Sequence, residues 1–359
     1  MKRRLLLFIP VMGILLIFAS PTFAVETFAS VCAGLTLEDP TPSAECQRIM
    51  LAFPEPVVTP IPEDRYTLSN YSFWRVIGEE RHLYDSPGGN IIGQMPAGFN
   101  FIQAVDSTDG WVKSKNGEWM SMDELKYSPA SFFRGVRLMN GLENPFGWVL
   151  GDLMTTPYPG GPQSMETGVY KKRYSRVNIF AEVKLDDWYW YMVGPNQWIE
   201  QRSLAIAKPV ERPEGVSGRW VTIDLYEQTL IAYENDTPIF ATLIASGLPG
   251  WDTNEGIFRV WAYIDRDRMA GATGAPDAYA LESVPWVMYF DDGISLHGAY
   301  WHDGFGYRRS HGCVNLSISD ANFLFHWMKD TPPDENGEIV NQVYVYASGH
   351  YRGRGPATK

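Results

Sequence analysis

At 359 residues the chain has room for two or three domains of the usual roughly 100–150 residues each. Its 33 Gly, 25 Pro and 14% aromatic content favour short strands joined by turns over long helices. A formal net charge of −12 argues against a nucleic-acid partner, because phosphate backbones select basic surfaces.

The chain begins with a basic cluster, Lys2, Arg3 and Arg4, followed by an uncharged apolar stretch at 5–18 and a small-residue exit at Thr22-Phe23-Ala24. This reads as a signal peptide over residues 1–24, with an uncleaved anchor as the alternative, because a spanning helix needs about 20 apolar residues. The protein is therefore expected to be exported, with no membrane span after cleavage. Residues 25–64 form a linker whose end, FPEPVVTPIPED at 53–64, suits an extended spacer. Cys32 and Cys46 lie close together within it, and an oxidising compartment favours a local disulfide over two free thiols. Ala29-Ser30-Val31 before Cys32 is not a lipidation signal. Cys313 is then the odd cysteine, and a lone thiol in an exported chain needs a reason.

From about Arg65 the sequence carries a weak internal repeat. One copy contains Tyr84-Asp85-Ser86-Pro87-Gly88-Gly89 and then Trp111 and Trp119 around a turn at Asn116-Gly117. The other contains Tyr158-Pro159-Gly160-Gly161 and then Trp188 and Trp198 around Gly194-Pro195-Asn196. Each reads as short strands closed by a Trp–turn–Trp hairpin, with the paired rings expected to stack on one face. The pattern resembles the bacterial Src-homology-3-like barrels appended to cell-wall enzymes, and implies small β-barrels at 65–130 and 131–207. They are expected to hold wall polymer and to leave chemistry to the C-terminal part of the chain.

A linker at 208–217 (KPVERPEG at its core) precedes the last domain, 218–349, and a short tail at 350–359. Alternating stretches at 220–225, 229–233, 239–245, 257–264, 284–290 and 294–297 read as strands, and 342–347 as a closing strand. One amphipathic helix follows a capping-box-like start, Ser317 with Asp320, and places Ala321, Leu324, Phe325 and Met328 at i, i+3, i+4 and i+7. The fold class is mainly β: a C-terminal domain of strands with one helix, preceded by the two small barrels.

The reactive residue types gather at 295–315, SLHGAYWHDGFGYRRSHGCVN, which holds three of the six His and Cys313. A thiol with a pKa near 8.5 is only a few per cent ionised at neutral pH, and a nearby imidazole or cation raises that fraction. His297 ends an apolar run and is placed to be such a partner. Gly312, between His311 and Cys313, permits a tight turn whose amides point at one spot and hold a developing oxyanion.

The run Ser310-His311-Gly312-Cys313-Val314-Asn315, preceded by His297-Gly298, resembles the catalytic motif of the L,D-transpeptidases, cysteine enzymes that cross-link the bacterial cell wall. Weaker blocks at Ile223-Asp224-Leu225 with Gln228, Ala245-Ser246-Gly247, and Thr253 with Gly256-Ile257-Phe258 follow the family order. Thr253-Asn254-Glu255 departs from the family's Thr-Pro, and the loop between His297 and Ser310, twelve residues, is slightly short. The resemblance covers roughly residues 218–347 and implies a β-sandwich catalytic domain. It also implies Cys313 as nucleophile, His297 as base oriented by the Gly298 carbonyl, and an oxyanion hole from the amides of His311, Gly312 and Cys313, with Ser310 bracing the loop. Arg308, Arg309, Asn315, Trp301 and His302 are the candidate substrate-binding residues, with Asn315 also bracing the loop, Asp303 a possible orienter of His302, and the arginines alternatively plain loop charges. The implied substrate is a peptidoglycan tetrapeptide stem, cut with release of its terminal D-alanine and joined to the amine of a second stem, in the cell wall, periplasm or extracellular face. Carbapenems acylate family members. No cofactor or metal is expected: His297, His302, His311 and Cys313 lack the tight ligand pairs of zinc sites. The alternatives are an L,D-carboxypeptidase on the same site or an inactive wall-binding module.

Overall fold

The computed structural model describes residues 28–349 apart from 79–80, 140, 143, 273 and 276, so the expected signal peptide and tail lie outside the described residues. The fold is mainly β. Strands Arg219–Asp224 and Thr229–Glu234 form an antiparallel pair. Asp224 Oδ1 shapes the turn between them by accepting the amides of Tyr226 and Glu227 at 2.9 and 3.2 Å. Strand Thr237–Leu243 continues the sheet on one side, and Gln342–Tyr346 followed by Gly256–Arg259 on the other. In the second sheet, Tyr279–Asp291 pairs with Ala262–Gly271 and with Ile294–Gly298, to which Val314–Leu316 adds in parallel.

Strand alternation sends Val221, Ile223 and Leu230 of the first sheet toward Val287, Leu296 and Val314 of the second, and helix Ile318–Lys329 adds Ala321, Leu324, Phe325 and Met328 to the same core. The helix starts on Ser317, whose side chain accepts the Asp320 amide at 3.1 Å. The opposite face of the first sheet is buried as well. There Trp220 stacks on Tyr233 at 4.3 Å, and both, with Ile231 and Leu243, face Phe146, Trp148, Ala205 and Ala207 of the preceding region. Burial on both faces accounts for the unbroken apolar run 230–233.

The expected boundaries do not separate packing units. Strand Phe99–Thr108, placed by sequence in the first barrel, pairs in parallel with Tyr279–Asp291 through Phe99–Tyr279 and Phe101–Leu281, so that region shares a sheet with the C-terminal domain. Thr59–Pro60 from the expected linker and Val136–Arg137 from the expected second barrel form the outer strands beyond Thr237–Leu243. The 208–217 linker is packed too: the Val210 amide donates to the Tyr233 hydroxyl at 3.0 Å, and Val216 is buried. Periodicity reports which face of a strand is apolar and not which strand it pairs with, and open sheet edges recruit partners across the chain. Residues 28–52 are also more than a spacer. Cys32 and Cys46 are joined in a disulfide that, with Phe28 and Met50, packs on Phe180, Met192 and Trp198.

The paired tryptophans do not stack on each other. Lys113 stands opposite Trp119, and Leu185 opposite Trp188. Trp111 meets Tyr84 edge-on at 4.9 Å, Trp188 carries the Arg202 guanidinium, and Trp198 is buried beside Phe180. Among the described residues no helix is long and apolar enough to cross a membrane.

Candidate active site

The two parallel strands Ile294–Gly298 and Val314–Leu316 set the site. His297 stands opposite Asn315 and Leu296 opposite Val314, so Ser295 and His297 leave their strand on one face, and Cys313 enters the pair one step below. Cys313 is the free cysteine of the described residues. Its Sγ lies 3.7 Å from Ser295 Oγ and 3.7 Å from the Gly293 carbonyl. Burial pushes the thiol pKa up, and hydrogen bonds from the Ser295 amide and hydroxyl oppose that only in part.

His297 is buried at 2% exposure, with Nδ1 3.3 Å from the Gly298 carbonyl. Burial pulls its imidazole down to about 4, more than the Gly298 bond raises it. A neutral imidazole that donates Nδ1–H to that carbonyl keeps the Nε2 lone pair free to accept a proton. At neutral pH the resting pair is therefore thiol and imidazole. Arg308 is committed elsewhere: its Nη1 lies 2.9 Å from Asp252 Oδ1, with the side chain 16% exposed. The Arg309 guanidinium lies across Gly304, where no Cβ fits.

The turn 310–313 is held by its own polar atoms. The Ser310 hydroxyl donates to the Cys313 carbonyl and accepts the Gly312 amide at 3.1 Å. Gly312 has φ of 114°, a conformation that favours glycine. Its carbonyl accepts Thr253 Oγ1 at 2.7 Å, and the Arg309 and Ser310 amides donate to the Ser246 carbonyl at 2.8 and 3.0 Å. Because Ser310 occupies the Gly312 amide, the oxyanion role expected of three amides narrows to those of His311 and Cys313. The His311 ring stacks on Tyr279 at 5.1 Å and meets Trp251 edge-on at 4.9 Å, with Nε2 3.6 Å from Asp277.

The loop after Gly298 is built from elsewhere in the chain. Tyr300 stacks on Phe73 at 3.7 Å, and Trp301 lies 5.6 Å from the His297 ring. His302 Nδ1 accepts the Gly304 amide at 3.0 Å, and its Nε2 is 2.9 Å from the Asn315 amide group. Burial first, then the charges of Arg309, His297 and Arg173, pull His302 down to about 3, so its ring is neutral. With Nδ1 accepting, Nε2 carries the proton; the group facing it is the Asn315 Nδ2, and turning that amide over brings the otherwise unpartnered Asn315 oxygen into place to accept. Asn315 and His302 brace each other, the loop-bracing role expected of Asn315, and Asn315 is 1% exposed. Asp303 does not orient His302 either. Ser131 and Arg173 hold its carboxylate, the latter at 3.1 Å, and the Tyr174 hydroxyl donates to its carbonyl at 2.6 Å.

Three residues near the thiol escaped sequence reasoning. Ser295 had a signal, since strand alternation puts it on the His297 face. Tyr279 and Tyr289 had none: Tyr279 stacks on the His311 ring, and Tyr289 stands opposite Ser295 in the neighbouring strand.

A mainly β domain with a free cysteine and a neutral histidine on neighbouring strands defines the class. Residues 218–345 match the model of the YkuD family, the L,D-transpeptidase catalytic domain. Solved structures similar to the chain include an Enterococcus faecium L,D-transpeptidase, 26% identical over 36% of this chain and 50% of that one with a TM-score of 0.31. An L,D-transpeptidase from Xylanimonas cellulosilytica is 26% identical over 37% and 63%, with a TM-score of 0.27. The E. faecium catalytic domain acylated by ertapenem is 25% identical over 36% and 98%, with a TM-score of 0.31. The chain spans about half the length of the first of these. A search of curated proteins finds no match.

Proposed function

We propose that this protein is an exported peptidoglycan L,D-transpeptidase working through a Cys313 acyl-enzyme. The observation that carries the reading is the free Cys313 set beside Ser295 on the strand pair that presents a neutral His297. On attack at the donor carbonyl, the thiol proton passes to His297 Nε2, which returns it to the departing D-alanine amine. The amides of His311 and Cys313 face the developing oxyanion, and Ser310 keeps the turn in place. An amine of a second stem then opens the thioester, its proton passing by way of His297 to the departing Cys313 sulfur, which restores the thiol. Export is supported by the Cys32–Cys46 disulfide, which suits an oxidising compartment. Mass spectrometry of purified muropeptides incubated with the protein is expected to show cross-linked dimers. Trimmed monomers alone would assign the carboxypeptidase reaction instead, and no change at all would leave a wall-binding module.

The roles of the two loop histidines separate in kinetics. His297→Ala is expected to lower kcat/KM by roughly 100- to 10,000-fold, the usual worth of a general base. His302→Ala is expected to act less, through the loop alone; equal losses would mean that the base is misassigned. The acid limb of the kcat/KM profile is expected near pH 4, because His297 accepts a proton only above its own depressed pKa of about 4. An acid limb near the ordinary histidine value of about 6.5 contradicts the buried neutral pair.

A further inference from the structure

Beside the active-site loop, on the side facing the N-terminal regions, lies a cleft of about 370 Å³ lined by four cationic side chains, Arg134, Lys172, Arg173 and Arg176. In a chain of net charge −12 this is a local inversion of sign. The carboxylate in its wall is Asp303, which Arg173 neutralises at 3.1 Å. Arg134 donates to the Ile61 carbonyl at 3.0 Å and pairs with Glu63 at 3.9 Å, so the open charges are Lys172 and Arg176, which among the described residues have no carboxylate partner. Phe132 stands at the lip with 78% of its surface exposed, and Phe133 and Pro60 complete an apolar side.

From this arrangement we propose that the cleft binds a short peptide bearing free carboxylates, the stem peptide of a neighbouring wall strand; the identity of that peptide rests on the transpeptidase reading. Unpaired guanidinium and ammonium groups around a small concave volume suit planar carboxylates, which arginine engages through two parallel hydrogen bonds. The volume fits a compact ligand instead of a long polyanion, which needs an extended row of cations. The apolar side suits the alkyl parts of a peptide. Asp303 carries Trp301 and His302 on the same loop, so a stem held here lies next to the segment that ends at the nucleophile.

The test uses the full chain carrying Cys313→Ala and a fluorescein-labelled stem tripeptide with free carboxylates, read by anisotropy. Lys172→Gln with Arg176→Gln is expected to weaken binding roughly tenfold or more, a factor equal to about 1.4 kcal/mol. The charge-retaining pair Lys172→Arg with Arg176→Lys is expected to keep it. The tripeptide with its carboxylates amidated is expected to bind the unsubstituted cleft as weakly as the free peptide binds the glutamine variant, an arm that decides the matter even if that variant misfolds. Equal binding of free and amidated peptide overturns the proposal. So does binding of poly(glycerol phosphate) alone, which would assign the cleft to a phosphate polymer. Carbapenem acylation of the chain with Cys313 intact is measured separately. Charge-dependent peptide binding without acylation removes the enzyme reading and keeps the cleft, whereas acylation with charge-independent binding does the reverse.

Discussion

Cys313→Ala is expected to abolish turnover, a loss on the order of a millionfold where a nucleophile works in concert with its base. The substitution should leave the fold in place. The sulfur is met by Ser295 Oγ and the Gly293 carbonyl at 3.7 Å each and by the Ser295 amide, and the turn around it is held by Ser310, Gly312 and Thr253. Removing one partly exposed sulfur costs about 1 kcal/mol or less, a shift of a few degrees at most in Tm. Intact-mass measurement with a carbapenem should show one covalent adduct on the parent chain and none on the variant. An adduct that survives in Cys313→Ala sinks the assignment, and a variant that no longer folds would show instead that the residue is a core thiol.

A chain shortened to begin near Glu214 is expected to lose both structure and activity, the reverse of what domain boundaries read from sequence imply. The first sheet would expose Trp220, Ile231, Tyr233 and Leu243, which now face Phe146, Trp148, Ala205 and Ala207. Re-exposing four such side chains costs about 6–12 kcal/mol at 1.5–3 kcal/mol each, comparable to the whole stability of a domain. Strand Tyr279–Asp291 would lose its parallel neighbour Phe99–Thr108, leaving an open edge. The active-site loop would lose Phe73 from Tyr300, and Ser131, Arg173 and Tyr174 from Asp303. Near-UV circular dichroism and the carbapenem acylation rate measure the two losses. A shortened chain with native dichroism and an undiminished rate would show that the N-terminal regions are appendages after all.

The first of these expectations marks where reading the residues in order succeeds, and the second where it fails. The chemistry is local in sequence: the motif around His297 and Cys313 spans one loop and two short strands, and the turn glycine sits where its backbone requires it. The helix is local too, since its stripe and its Ser317 cap are set by spacing of three and four residues. Three cysteines with one local pair leave one odd thiol by arithmetic, and the structure bonds Cys32 to Cys46.

What the residues by themselves determined is therefore the mainly β character, the helix and the reactive loop, because each rests on short-range periodicity, turn geometry or the chemistry of single side chains. Only the tertiary structure decided that Phe99–Thr108 completes the sheet of Tyr279–Asp291, that Asp303 answers to Arg173 and not to His302, and that the resting thiol and imidazole are neutral. Strand pairing joins segments about 180 residues apart that alternation alone cannot match. Ionisation follows burial, and burial is a property of the packed whole: the same His297 that reads as an ordinary imidazole in sequence is held neutral once the surrounding sheets close around it.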